Sequence, residues 1–383
     1  MIKINDKTKC SGCCACVNIC ENKAIKMIVD DEGFWYPQIK SNCNNCGKCE
    51  DVCPIINKPM TEEFPLKTYA AYNKNENVRL KSSSGGIFTL LAEYVLAKDG
   101  FVFGAAFEDD CRQLKHIAVS SADDLEKLRG SKYLQSDIGE SYSLVKKYLN
   151  DEKPVLFTGT PCQINGLVKF LGRPYDNLFL QDLICHGVPS PLLWNKYLDY
   201  IEENEKSLMK NINFRDKASG WNKYSVTLTL ATNEKISSLF YKDKYMKIFL
   251  RDSCLRPSCY NCEFKGLSRV SDITLGDFWG VEQVLPQLND NKGVSSVFVN
   301  SLRGQKFFDE ISRCCYIEEV NADEVVLYNS TAVKSVQRKK QRDTFFIDLK
   351  TESFDKVLKR YSKDSISRRI LNFCIYIKEK ILK

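Results

Sequence analysis

The sequence predicts an α+β/α/β chain: a small cysteine-rich module, a larger mixed-sheet α/β domain, and a helical C-terminal tail. Three observations carry this reading. Nine of the 18 cysteines fall before residue 54. From Thr68 onward, strand-like apolar runs alternate with amphipathic stretches, as crossover units around a central sheet require. From Ala332 to Lys383 the chain holds 15 Lys/Arg against 6 Asp/Glu. The remainder holds 41 against 43, so the net charge of +7 is a property of the tail. A uniformly basic nucleic-acid binder is not expected. Apolar residues at 43% and charged residues at 27% exclude a disordered, fibrous or collagen-like chain. No apolar run reaches the roughly 18 residues of a membrane span, and the first residues show no apolar signal-peptide core. A reducing, cytoplasmic setting is therefore expected, in which cysteines at this density bind metal or do redox chemistry.

The N-terminal module, residues 1–58, contains an internal repeat. Cys10, Cys13, Cys16 and Cys20 are followed by Cys43, Cys46, Cys49 and Cys53-Pro54. This is the spacing of a bacterial two-cluster 4Fe-4S ferredoxin, in which the fourth cysteine of each run ligates the other cluster. The expected quartets are Cys10, Cys13, Cys16 and Cys53, and Cys20, Cys43, Cys46 and Cys49. A zinc ribbon uses two CxxC pairs, which would leave the third cysteine of each triplet surplus. The two histidines, His116 and His186, rule out Cys2His2 zinc arrays. Cys14 lies outside the period and reads as a small buried residue or a lid. Glu21 after Cys20 departs from the usual Pro.

Pro54, Pro59 and Pro65 bracket a linker, residues 59–67, read as a hinge between self-contained modules. A fragment starting at Glu62 is accordingly expected to fold. The domain 68–331 follows, with strands at Thr68–Tyr72, Phe101–Phe107, Val155–Phe157 and Leu178–Ile184. Helices are expected at Gly86–Lys98, Ser121–Leu128, Ile138–Leu149, Gln163–Leu171 and Pro191–Glu203. Asn211–Leu230 reads as β-rich. The tail, 332–383, reads as helices, the last of them basic and amphipathic with Ile366, Ile370, Phe373, Ile377 and Ile381 on one face.

Cys162 opens a helix after a strand, Cys185 ends the next strand, and Cys259 and Cys262 form a CxxC. Neighbouring strand ends of an open α/β sheet meet at one edge, where ligands bind. These four are candidates for a third 4Fe-4S site, with Cys254 a competitor for one place. Cys111, Cys314, Cys315 and Cys374 read as core residues.

Five segments, KSSSGGIFTLLAEYVL, GSKYLQS, VLFTGTPCQINGL, DLICHGVPSP and SDITLGDFWG, resemble the coenzyme F420 hydrogenase/dehydrogenase beta-subunit family. The resemblance runs from Cys10 to about Tyr328. The branch of the family with an N-terminal ferredoxin domain resembles 7-hydroxymethyl chlorophyll reductase-like flavoproteins. The resemblance implies a flavin, usually FAD, held beside a 4Fe-4S cluster. Archaeal members pass electrons to the deazaflavin F420, for which these residues contain no separate signature. Flavin candidates are Ser83, Ser84, Gly85 and Gly86 before a helix, Gly130, Ser131, Lys132 and Tyr133, and Gly159 with Thr160. No GxGxxG or Walker A sequence is present. His186, Asp277 and Lys132 are the catalytic candidates, His186 as a proton donor. Trp221 and Trp279 read as core or pocket walls. The expected function is an iron–sulfur flavoprotein oxidoreductase taking electrons from a ferredoxin-like donor to a small-molecule substrate. The alternative is an electron-transfer subunit with no substrate of its own. The basic tail is expected to meet an acidic donor or an anionic membrane surface.

Overall fold

The computed structural model describes residues 1–61 and 63–364. The amphipathic helix expected over Ile366–Ile381, and Cys374, lie outside the described residues. Among the described residues fourteen strands run in chain order: β1 (Ile25–Val29), β2 (Trp35–Ile39), β3 (Lys67–Asn73), β4 (Phe101–Phe107), β5 (Leu114–Val119), β6 (Ser136–Asp137), β7 (Val155–Thr158), β8 (Leu178–Leu183), β9 (Met209–Asp216), β10 (Ser225–Leu230), β11 (Lys235–Leu239), β12 (Ile273–Asp277), β13 (Ser295–Val299) and β14 (Cys315–Glu319).

Nine of them form one mixed sheet in the order β14-β3-β13-β12-β8-β7-β4-β5-β6. Its centre, β12-β8-β7-β4, is parallel, and the flanking pairs β12-β13, β13-β3, β3-β14 and β4-β5 are antiparallel. Of the central strands, β4 and β7 are near-continuous apolar runs because both faces are covered. Val155, Leu156 and Phe157 are fully buried. A second sheet, β11-β10-β9, grows from the stretch read as β-rich. The parallel centre directs the ends of β7, β8 and β12 to one edge, which carries Thr158–Cys162, Ile184–His186 and Asp277.

Predicted and observed elements agree over much of this domain. The helix expected over Gly86–Lys98 spans Ile87–Leu96, and that over Gln163–Leu171 begins two residues earlier, at Pro161. Proline at the first position and Thr160 in a capping box account for the earlier start. The helix expected over Ser121–Leu128 shrinks to Leu125–Leu128. Cys111 and Cys315 lie in apolar cores, but Cys314 is exposed, because the chain turns outward just before the edge strand β14.

The N-terminal segment does not stand apart. Phe34, Tyr36 and Cys10 share one apolar core with Trp194, Phe214 and Tyr245. Cys13, Cys14, Ala15 and Val52 share another with Phe157 and Ile164. The turn of the β1–β2 hairpin abuts the helix Pro191–Glu205 so closely that a Cβ on Gly33 would sit 2.5 Å from the Leu192 nitrogen. Arg342 forks onto Glu32, at 2.8 Å through Nη1. The linker is strapped as well. Lys58 pairs with Glu263 at 2.8 Å, and the Ser268 hydroxyl donates to Thr61 Oγ1 at 2.9 Å. These contacts strap the segment that Pro54, Pro59 and Pro65 mark as a hinge, and the two parts of the chain share apolar cores across it.

Candidate functional site

Three cavities among the described residues are lined by cysteine quartets. One holds Cys10, Cys13, Cys16 and Cys53, with Cys14 at its wall. A second holds Cys20, Cys43, Cys46 and Cys49. The third holds Cys162, Cys185, Cys259 and Cys262. Cys254 is absent from that wall; its fully buried side chain packs in the core with Leu255 and Tyr245. Short local elements make each quartet. Gly47, at φ +80°, opens the short helix Lys48–Asp51 that carries Cys49. Cys162 sits in the first turn of the helix Pro161–Leu171, where Thr160 Oγ1 lies 3.1 Å from its sulfur and the helix dipole favours a thiolate.

Among the described residues no three Cys, His, Asp or Glu side chains converge as ligands of a single metal ion. Each set of four sulfurs lines a cavity, as a group ligated by four thiolates needs. Electrostatics agree. Burial pushes the Cys13 thiol up to about 12, and burial and then the neighbouring Cys262 push Cys162 well above the ordinary thiol range. Such thiols do not ionise together without a compensating cation. The Lys265 ammonium, which donates to the Cys185 carbonyl, partly offsets burial at Cys185. The quartets thus fit 4Fe-4S units, four thiolates each.

The third cavity opens onto a larger cleft of about 780 Å³, inside the range of ordinary ligand pockets. The two share Thr160, Gln163, Cys185, His186 and Gly187. The cleft is lined by Ser83, Ser84, Gly86, Gly130, Ser131, Lys132, Tyr133, Gly159, Thr160, His186 and Asp277. Of the flavin candidates only Gly85 lies behind the wall. A Cβ there would sit 2.4 Å from the Ala71 carbonyl, and its N–H donates to Ser295 Oγ. The Ser131 N–H donates to Ser83 Oγ at 2.6 Å, joining two segments that are far apart in sequence.

The catalytic candidates sit in unequal surroundings. His186 Nε2 lies 2.7 Å from Asp252 Oδ1, so a carboxylate fixes its orientation. Lys132 Nζ donates to the carbonyls of Leu128, Arg129 and Gly130, and burial pushes it down to about 7. Its three donors are spent on backbone. Asp277 is clamped by both Arg215 guanidinium nitrogens at 2.8 and 2.9 Å and by Trp221 Nε1 at 2.9 Å. Its turn-forming alternative does not hold, because Asp277 ends strand β12. Held by these three donors, it orients Arg215. Trp221 and Trp279 stack at 4.9 Å, and Trp279 faces the cleft.

Several cleft residues carry no motif. Arg215 lies over the Tyr224 ring at 4.0 Å, its buried charge held by Asp277. The sequence signal was an arginine inside the strand NINFRD. His116 is another. Its Nε2 faces the Thr158 carbonyl at 3.0 Å. A carbonyl only accepts, so Nε2 carries the proton, and the buried Nδ1 has no partner. Burial pushes this imidazole down from 6.5 to about 4. The sign follows from linkage: between those values the unfolded chain binds the extra proton. Stability is complete above about pH 6.5 and declines as pH falls toward 4. About 2 kcal/mol should be lost between about pH 6.5 and 5. Denaturant titrations of wild type and His116→Gln should show this slope shrinking in the variant; equal slopes would assign the acid sensitivity elsewhere.

Comparisons with known proteins bear on this arrangement. Two family models described as "Coenzyme F420 hydrogenase/dehydrogenase, beta subunit" match the chain, the N-terminal one over residues 68–141 and the C-terminal one over residues 152–325. The coenzyme F420-dependent sulfite reductase of Methanocaldococcus jannaschii is 30% identical over 204 residues, 51% of this chain but only 30% of that protein. An uncharacterised protein of the same organism is 26% identical over 377 residues, covering 88% of this chain and 95% of its own length. An uncharacterised ferredoxin, also from that organism, is 30% identical over 78 residues, 20% of this chain and 94% of the ferredoxin. The chain thus spans less than a third of the sulfite reductase. Among the described residues no helix is long and apolar enough to cross a membrane. The two matches take in nearly all of the sheet and of the cleft wall and the whole third quartet, and the chain belongs to the coenzyme F420 hydrogenase/dehydrogenase beta-subunit family.

Proposed function

We propose that this chain is an iron–sulfur oxidoreductase that carries electrons from a low-potential, ferredoxin-like donor to a flavin-class cofactor in the cleft, for reduction of a small-molecule substrate. The observation that carries the reading is the wall shared by the third quartet and the cleft, through Thr160, Gln163, Cys185 and His186. When bound, the clusters supply one-electron steps and a flavin or deazaflavin supplies two-electron chemistry. The chain's own residues position these groups. Cys20, Cys43, Cys46 and Cys49 would hold one cluster, Cys10, Cys13, Cys16 and Cys53 a second, and Cys162, Cys185, Cys259 and Cys262 a third beside the cleft. Ser83, Ser84 and Gly86 present backbone to a phosphate at the start of the helix Ile87–Leu96. Tyr133, Tyr224 and Trp279 offer flat faces to a planar ring. His186, oriented by Asp252, holds a proton at the mouth shared with the third quartet. FAD and F420 are alternative occupants, F420 being favoured by the names of the family and of the sulfite reductase relative.

A second reading, an electron-transfer subunit that docks on a catalytic partner, is favoured by the family's description as a beta subunit. Anaerobic purification followed by cofactor extraction tests the proposal. The protein should show a broad visible absorption that dithionite bleaches, and should release a flavin or deazaflavin. A colourless protein holding zinc would end the proposal. Clusters with an empty cleft, even after incubation with FAD, FMN and F420, would favour the subunit reading.

A further inference from the structure

Among the described residues five arginines are buried: Arg79, Arg215, Arg256, Arg269 and Arg342. Four meet a carboxylate, namely Asp290, Asp277, Asp182 and Glu32. Arg256 is the exception. It is fully buried, and among the described residues all its hydrogen-bond partners are neutral. Its Nε donates to the Cys10 carbonyl at 2.8 Å, Nη2 to the Trp35 carbonyl at 2.8 Å, and Nη1 to Gln135 Oε1 at 3.1 Å. Nη2 also lies 3.7 Å from Cys10 Sγ. The faces of Tyr36, 4.4 Å away, and Phe34, 5.6 Å away, compensate part of its charge, but among the described residues no carboxylate meets it, so an anion placed beside it would be strongly stabilised. The cavity of Cys10, Cys13, Cys16 and Cys53 adjoins it through Cys10 Sγ, and a thiolate-ligated cluster there would carry such a charge.

The local backbone is built around this contact. Gly12, at φ +71°, leaves room that a side chain would take, since a Cβ there would lie 3.0 Å from Arg256 Cζ. Arg256 directly precedes the turn Pro257–Asn261 that carries Cys259, and its charge is felt at that thiol. One side chain therefore touches the first quartet and is covalently continuous with the third.

We propose that Arg256 is a positioning residue, a fixed cation that raises the reduction potential of the cluster held by Cys10, Cys13, Cys16 and Cys53 and ties its loop to the turn bearing Cys259. The proposal rests on the iron–sulfur reading above. The guanidinium favours the more negative, reduced state. Each step moves one electron, supplied by the low-potential donor, toward the third quartet, with no bond made or broken and no proton released.

The test is a potentiometric titration of the full-length anaerobic protein, followed by electron paramagnetic resonance. Arg256→Gln should lower one cluster midpoint by a tenfold change in its reduction equilibrium, about 59 mV for one electron. Arg256→Lys should recover most of it. Gln135→Glu leaves the arginine in place but sets a carboxylate against it, and should lower the same midpoint. This variant decides the matter if Arg256→Gln does not fold. The cluster of Cys20, Cys43, Cys46 and Cys49 should keep its potential in all three. Unchanged midpoints in Arg256→Gln and Gln135→Glu, at wild-type iron content, would overturn the proposal and leave Arg256 a packing residue. Wild-type protein without iron would instead overturn the iron–sulfur reading itself.

Discussion

Anaerobically purified protein is expected to hold about twelve irons per chain, four for each of three cysteine-lined cavities. The double variant Cys259→Ser/Cys262→Ser should hold about eight. Removing two thiolates of four leaves a cube half-anchored, while the other two cavities share no ligand with this one. Substrate or cofactor reduction by a protein donor should fall by orders of magnitude, since this quartet shares a wall with the cleft. Iron and sulfide assays on both proteins decide the point. Eight irons in wild type, unchanged in the variant, would remove the third site.

Deletion of residues 1–61 is expected to abolish the folded state altogether. Phe34 is fully buried and Tyr36 nearly so, in a core shared with Trp194 and Phe214. Truncating one such aromatic costs about 3–5 kcal/mol. The deletion removes both, together with Ala15, Val52, the partner of Arg342 and three of the neutral groups around Arg256. The summed loss exceeds the roughly 5–15 kcal/mol by which a domain is stable. Circular dichroism and thermal melting of a fragment starting at Glu62 provide the check. A cooperative transition near the wild-type temperature would show that the shared cores are dispensable.

This second expectation reverses what the prolines alone implied. A proline-rich connector reads the same in sequence whether it swings free or lies strapped, because the strap is made by Glu263 and Ser268, some 200 residues away. The two N-terminal quartets were legible through their repeated local spacing, whereas Cys162, Cys185 and the Cys259/Cys262 pair were linked through the meeting of neighbouring strand ends. The cleft segments Ser83–Gly86 and Gly130–Tyr133 were legible through family likeness, and their meeting through Ser83 and Ser131 needed coordinates. Strands β12, β13 and β14 went unread as strands. Their fit depends on β3 and β8, which lie far off in the chain. Arg215 and Arg256 escaped because an isolated arginine carries no period or motif. Its meaning comes from what surrounds it, Asp277 in one case and the Cys10 loop in the other.

The three quartets differ in how far they stand from water. Cys10, Cys13 and Cys16 are buried and Cys53 half-buried, all four cysteines of the third quartet are half-buried, and in the remaining quartet Cys49 is buried, Cys20 and Cys43 half-buried and Cys46 exposed. Dioxygen and peroxide reach the exposed sulfur first, and a thiolate freed from iron at the surface is open to sulfenic acid formation. Air should thus dismantle the molecule in sequence. The cluster of Cys20, Cys43, Cys46 and Cys49 is lost early, leaving protein with about eight irons that can still be reduced by small molecules but is slow with a protein donor. Preparations handled in air would then look like a two-cluster enzyme with a weak appetite for its natural reductant, and the missing activity would return on anaerobic reconstitution with iron and sulfide.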